Sequence, residues 1–160
     1  MKRIITMSLV LSVVLGVSGI VFARAPQPQI MGISLGMSRD DARTHLKSIG
    51  SLQRETRKRQ EVWTIRDDRI SHVLVGYDPE FRVRYVTAIV RTDGPPVRYD
   101  DVADVKSAQR EQNQGNYKLT WQIAARSGQS GYVLIAHGHD PQYLESYSVK
   151  KMDQKEEEVD

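Results

Sequence analysis

Apolar positions along the chain change their spacing several times, and each change predicts an element. Residues 4–22 form a nearly continuous apolar run between Lys2-Arg3 and Ala23-Arg24-Ala25. That order of charge, hydrophobic stretch and small residues is the order of a secretory signal, with cleavage after Ala23 or Ala25. The run is also long enough to span a bilayer, so an uncleaved anchor to the inner membrane is the alternative. Pro26-Gln27-Pro28-Gln29 reads as a short extended spacer, and residues 30–37 then alternate apolar residues with glycines. Ser38 with Asp41 three residues later predicts a helix start, and Ala42, Leu46 and Ile49 form one helical stripe that Gly50 can end. Past a polar, basic connection over 53–60, three β patterns follow at 62–66, 71–77 and 81–91, separated by Asp67-Asp68 and Asp78-Pro79-Glu80.

Thr92-Asp93-Gly94-Pro95-Pro96 interrupts regular structure, after which the plan recurs. A helix is predicted over 100–110 and strands over 117–123, 132–137 and 143–150. Tyr117, Leu119, Trp121 and Ile123 alternate with Lys118, Thr120 and Gln122, so one face of that strand should be buried. Landmarks echo one another at a period of about 60 residues: Asp40-Asp41 with Asp100-Asp101, Trp63 with Trp121, and Asp78-Pro79 with Asp140-Pro141. These patterns predict an α+β fold, a tandem repeat of a helix plus a three-stranded antiparallel meander with the helices on one face of the sheet. The divisions are a signal or anchor at 1–25, a linker at 26–29, a first unit at 30–92, a linker at 93–96, a second unit at 97–152 and an acidic tail at 153–160.

Charge changes the picture once the export segment is set aside. The full chain has 23 Lys and Arg against 20 Asp and Glu, a net charge of +3, and a pI near 9.2. Removing Lys2, Arg3 and Arg24 leaves 20 basic residues against 20 acidic ones. The basic pI therefore belongs to the signal, and neither it nor export favours nucleic acid as a partner. The chain has no cysteine, which excludes disulfides, thiol chemistry and a lipidated N-terminal cysteine.

Gly32-Ile33-Ser34-Leu35-Gly36-Met37-Ser38-Arg39-Asp40-Asp41-Ala42, a tryptophan strand and Tyr77-Asp78-Pro79-Glu80-Phe81-Arg82-Val83 together resemble the small outer-membrane assembly lipoproteins of the SmpA/OmlA type. The two-unit arrangement is similar to the tandem fold of the β-lactamase inhibitor proteins. The resemblance implies helices packed on an antiparallel sheet and a non-catalytic role in the envelope or outside the cell, holding another macromolecule. The chain departs from these families in lacking their cysteines and in reading Ser48-Ile49-Gly50-Ser51 after the first helix. The partner's identity does not follow.

Candidate sites are few. His137-Gly138-His139-Asp140 offers metal-ligand chemistry, but it is expected to be a hairpin turn in which the strand does not continue through Gly138, so no metal or cofactor is expected. Gly128-Gln129-Ser130-Gly131 lacks the spacing of a nucleophile elbow and reads as a hairpin loop, and no phosphate-binding glycine loop is present. The chain is expected not to be an enzyme. Arg54, Arg57, Lys58 and Arg59, near Lys47, form a basic loop that either docks on an anionic membrane surface or is a solvated connection. If Phe81, Val83 and Tyr85 face the helices, Arg82 and Arg84 stand on the open sheet face with Lys118 and Gln122. These four are the candidate contacts for an envelope or secreted protein, the alternative being an ordinary solvated face.

Overall fold

A computed structural model of the protein describes residues 28–56, 59–125 and 130–152. The proposed signal or anchor, the acidic tail, Arg57, Lys58, Gly128 and Gln129 lie outside the described residues. A small hairpin, β1 (Gln29–Ile30) and β2 (Ile33–Ser34), precedes α1 (Arg39–Ile49). The next four strands are β3 (Gly50–Thr56), β4 (Gln60–Ile65), β5 (Ile70–Tyr77) and β6 (Val83–Val90). The short β7 (Val97–Arg98) leads to α2 (Tyr99–Val102) and a 3-10 turn, Val105–Ser107. The chain closes with β8 (Gln109–Asn113), β9 (Asn116–Ile123), β10 (Tyr132–Gly138), β11 (Tyr143–Leu144) and β12 (Ser146–Lys151).

Eight of these strands make one antiparallel sheet in the order β3-β4-β5-β6-β12-β10-β9-β8. The predicted α+β tandem repeat of helix plus three-stranded meander is therefore incorrect. Strands hold 55% of the described residues and helices 15%, with a single large sheet and only two helices. Two strands absent from the sequence reading account for much of the difference. β3 occupies the predicted basic connection, and β8 occupies the end of the predicted second helix. Both are edge strands and almost wholly exposed. With no buried face, they have no reason to carry the alternating apolar pattern that reveals a strand, and polar edges protect against unwanted pairing.

α1 begins as its sequence predicts: Ser38 Oγ accepts a hydrogen bond from the Asp41 amide at 3.2 Å and donates to the Asp41 carboxylate at 2.6 Å. Ala42 and Leu46 are the buried residues of its stripe. The second helix stops after one turn because Ala103 is extended and fully buried. The next carbonyl, that of Asp104, accepts a hydrogen bond from Trp121 Nε1 at 2.9 Å, which holds the chain off a helical path. Asp78 and Asp140 organise their turns in the same way. The carboxylate of Asp78 accepts from the Arg82 amide, and that of Asp140 from the Gln142 and Tyr143 amides.

One hydrophobic core joins Ile30, Ile33 and α1 to Trp63, Val73, Val75, Val86 and Val149, and continues to Leu134, Trp121 and Tyr99. The hairpin, both helices and β7 contribute to this side of the sheet. The β8–β9 hairpin turns through Gln114 at φ 47° and Gly115 at φ 80°, a geometry that favours asparagine over glutamine at its first position. Gln114→Asn is expected to raise stability by about 0.5 kcal/mol. A thermal midpoint unchanged or lowered relative to the parent chain would contradict this.

Candidate binding surface

The register of the sheet sorts its side chains into two faces. One carries the core just described. The other presents three cross-strand rows. Gln60, Gly76, Tyr85, Lys150, Val133 and Gln122 make the first. Arg54, Val62, Leu74, Thr87, Ser148, Ile135 and Thr120 make the second. Thr64, His72, Ile89, Ser146, His137 and Lys118 make the third. Leu74, Ile89, Val133 and Ile135 are only partly buried on this face, and Val62 is almost fully so. Between the apolar residues of β5 and β6 and those of β10 lies β12, whose Ser146 and Ser148 are short. In the second row Thr87 and Ser148 separate Leu74 from Ile135, so short polar side chains line part of the middle of the face between aliphatic ones.

β-bulges decide which residues reach this face. A register shift between Gly76 and Tyr77 pairs Tyr77 with Val83 and Gly76 with Tyr85, leaving Arg84 as the extra residue of β6. Tyr85 is thereby turned outward instead of toward the helices as the alternation predicts. Its ring covers Gly76 so closely that a Cβ there would lie 2.0 Å from a ring carbon. Burial raises the Tyr85 phenol above its ordinary pKa, with the Arg84 charge acting the other way.

The four predicted contacts are not brought together. Lys118 and Gln122 stand on this face, with Lys118 Nζ 3.1 Å from the Glu111 carboxylate of the edge strand. Arg84 sits at the bulge on β6, three strand spacings from β9, or about 14 Å. Arg82 precedes the strand, bridges to Ser38 and donates from its guanidinium to the Gly36 carbonyl at 3.3 Å. Phe81, predicted to lie in the strand and face the helices, adopts φ 57° in the turn and is 43% exposed. Its ring lies 4.4 Å from the Arg39 guanidinium carbon. Of the predicted basic loop, Arg54 is on β3, and Arg59 lies in the turn to β4, where its carbonyl accepts from the Tyr77 amide.

The histidines also separate. β10 continues through Gly138, contrary to the predicted turn, because Gly138 lies against the Tyr143 carbonyl, where any side chain would collide. His137 therefore points to the open face, while His139 lies past the strand with Nδ1 2.8 Å from Glu145. Burial first, and then the Lys118 ammonium, holds the His137 imidazole below its ordinary pKa, with Glu111 opposing. Among the described residues, no group of three or more His, Asp or Glu is placed to hold a metal ion.

On the core face, one polar cluster is enclosed. Glu61 is 1% exposed and sits on β4 beside Trp63 and under α1. Arg43 Nε donates to one of its carboxylate oxygens at 2.7 Å, while Trp63 Nε1 and the Tyr77 hydroxyl donate to the other at 3.0 and 3.1 Å. Arg43 also reaches Glu55 at 3.0 Å, and Arg39 approaches Glu55 at 3.8 Å. Burial works against the Arg43 charge, but the hydrogen bond and charge of Glu61 more than offset it and raise the guanidinium pKa. Burial, followed by the Glu61 charge and hydrogen bond, raises the Tyr77 phenol well above the usual tyrosine range. Because the folded pKa exceeds the unfolded one, stability from this site is complete below about pH 10 and declines as pH rises toward the folded value. Thermal midpoints measured upward from pH 9 should therefore fall less steeply for Tyr77→Phe than for the parent chain. Parallel slopes would contradict the assignment.

Sequence reasoning missed the aliphatic part of the open face, although its signal was present. His72-Val73-Leu74-Val75, Val86-Thr87-Ala88-Ile89-Val90 and Tyr132-Val133-Leu134-Ile135-Ala136 are close to continuous apolar runs. An antiparallel strand with one solvated face should instead alternate apolar with polar. Among the described residues, no helix is long and apolar enough to cross a membrane. No family model matches the chain, and no curated protein and no solved structure is significantly similar to it.

Proposed function

We propose that the protein is a non-catalytic extracytoplasmic binding protein, an envelope accessory or inhibitor, that grips a protein partner through the open face of its sheet. The observation that carries this reading is the two-sided apolarity of β5, β6 and β10. Their core-facing residues satisfy the fold, and Leu74, Ile89, Val133 and Ile135 are surplus to it. Tyr85 adds an aromatic group of the kind that anchors interfaces, and the serines of β12 leave room for a partner's side chains. The extracytoplasmic setting rests on the order of charged, apolar and small residues over 1–25.

Site-specific photo-crosslinkers test the reading in the full chain expressed in its own compartment. Replacement at Ile135 should capture one dominant protein, and replacement at Lys47, on the exposed side of α1, should not. Equal capture from both positions, or capture from Lys47 alone, would remove the open face from its proposed role.

A further inference from the structure

On the core side of the sheet, near its β8 edge, α2 and the turns that follow it leave a cavity of about 200 Å³. Residues of β8 alternate between the two faces. Glu111 engages Lys118 on the open face, so Arg110 and Gln112 stand on the core face, opposite Leu119 and Tyr117 of β9. These four residues line the cavity, and Tyr99, Val105 and Pro141 complete its wall.

Tyr99 is the residue that the fold leaves unsatisfied. It is 3% exposed, and its hydroxyl has no hydrogen-bond partner. That hydroxyl lies over Gly138, where a Cβ would come within 2.8 Å of it. Gly138 is paired with Tyr117, so the polar end of Tyr99 is at the Tyr117 side of the cavity. The Tyr117 hydroxyl itself accepts from Gln112 Nε2 at 3.2 Å. Burial, and then the charges of Asp140, Glu145 and Tyr117, raise the Tyr99 phenol above its ordinary pKa, so at neutral pH it is a hydrogen-bond donor. A buried donor without an acceptor is costly, and the nearby acids make this end of the cavity suited to a neutral acceptor and not to an anion.

The other ionic groups of the cavity favour an anion. Arg98 has its guanidinium carbon 6.0 Å from the Tyr143 ring centroid, and Arg110 has one nitrogen 3.5 Å from the Val105 carbonyl, a long contact for a group with five donors. Asp100, at the start of α2, adds a single carboxylate against these two cations. The volume is below the roughly 300 Å³ at which sites for drug-sized ligands begin, which limits an occupant to about one ring.

We propose that this cavity is a second binding site, for a small organic carboxylate with an apolar body and a neutral oxygen at its far end. The oxygen accepts from the Tyr99 hydroxyl, the body packs against Val105, Leu119 and Pro141, and the carboxylate meets the Arg110 guanidinium. The site lies on the opposite side of the sheet from the open face and does not depend on the role of that face.

The test is amide and methyl NMR of the isotope-labelled chain titrated with 4-hydroxybenzoate, benzoate and 4-hydroxybenzamide. 4-Hydroxybenzoate should shift signals of Val105, Arg110 and Leu119 and bind about fivefold more tightly than benzoate, which lacks the oxygen, or the benzamide, which lacks the charge. Tyr99→Phe should bring 4-hydroxybenzoate to the affinity of benzoate and leave benzoate unchanged. Arg110→Gln, on an exposed edge strand, should erase the preference for carboxylate over carboxamide. Without ligand, Tyr99→Phe should not lower the thermal midpoint, because its hydroxyl has no partner to lose. A lowered midpoint, preferences that survive both substitutions, shifts confined to Leu74 and Ile135 of the open face, or no shifts with any of the three probes would each overturn the proposal.

Discussion

Replacing Arg43 with methionine is expected to lower the unfolding free energy by about 3–5 kcal/mol, the range for leaving one member of a buried ion pair without its partner. Glu61 has 1% exposure and receives hydrogen bonds from Arg43, Trp63 and Tyr77. Methionine fills a similar volume, so the loss is one of charge compensation more than packing. Trp63 and Tyr77 donate to a single carboxylate oxygen, and without Arg43 the other loses the charged donor that compensates it. The partial exposure of Arg43, 26% at its side chain, admits some water and places the effect toward the lower end of the range. Adding Glu61→Gln to Arg43→Met should restore more than half of the loss, since a carboxamide oxygen can still accept from Trp63 and Tyr77 without a buried charge. Urea unfolding of the single and double variants checks both statements. A single variant within about 1 kcal/mol of the parent would show that the pair contributes no more than an exposed one.

The second large effect concerns binding. Ile89→Gln combined with Ile135→Gln should weaken affinity for the crosslinked partner by about 100-fold, equivalent to about 2.7 kcal/mol, because it places polar amides on the strands to either side of the β12 serines. Both isoleucines point away from the core and are partly exposed in the free protein. Their replacement should therefore alter folding stability by no more than about 1 kcal/mol. Calorimetric titration alongside thermal unfolding separates the two quantities. A large loss of stability with no change in affinity would mean that these residues serve the fold and not a partner.

How far the sequence discloses this molecule follows from what each element buries. α1 was legible because Ser38 caps it and Ala42 and Leu46 face the core, so local chemistry and burial agree. β9 was legible because Leu119 and Trp121 are buried on the core face while Lys118 and Gln122 on either side of them stand on the open face, even though Thr120 between them is buried as well. β3 and β8 were not legible, since edge strands are held mainly by backbone hydrogen bonds to one neighbour, and residues 109–113 bury nothing. Asp100-Asp101 suggested a long second helix, but the hydrogen bond from Trp121 to the Asp104 carbonyl is a long-range contact with no local signature. The same reason applies to the surface. Period-two alternation predicts Tyr85 inward and Arg84 outward, and a one-residue bulge opposite Gly76 reverses the aromatic. The aliphatic half of the face was written in the continuous apolar runs of β6 and β10. Their meaning emerged only when the register showed which alternate residues the core leaves over.

The central claim is that the open face is the binding surface, and the most direct measurement is methyl NMR of the chain in complex with its crosslinked partner. The methyl groups of Leu74, Ile89, Val133 and Ile135 should shift or broaden, while those of Val73, Val75 and Leu134 on the core face and Leu46 of α1 keep their free-state positions. Perturbation centred on α1 or the N-terminal hairpin, with the four open-face residues unchanged, would contradict the account.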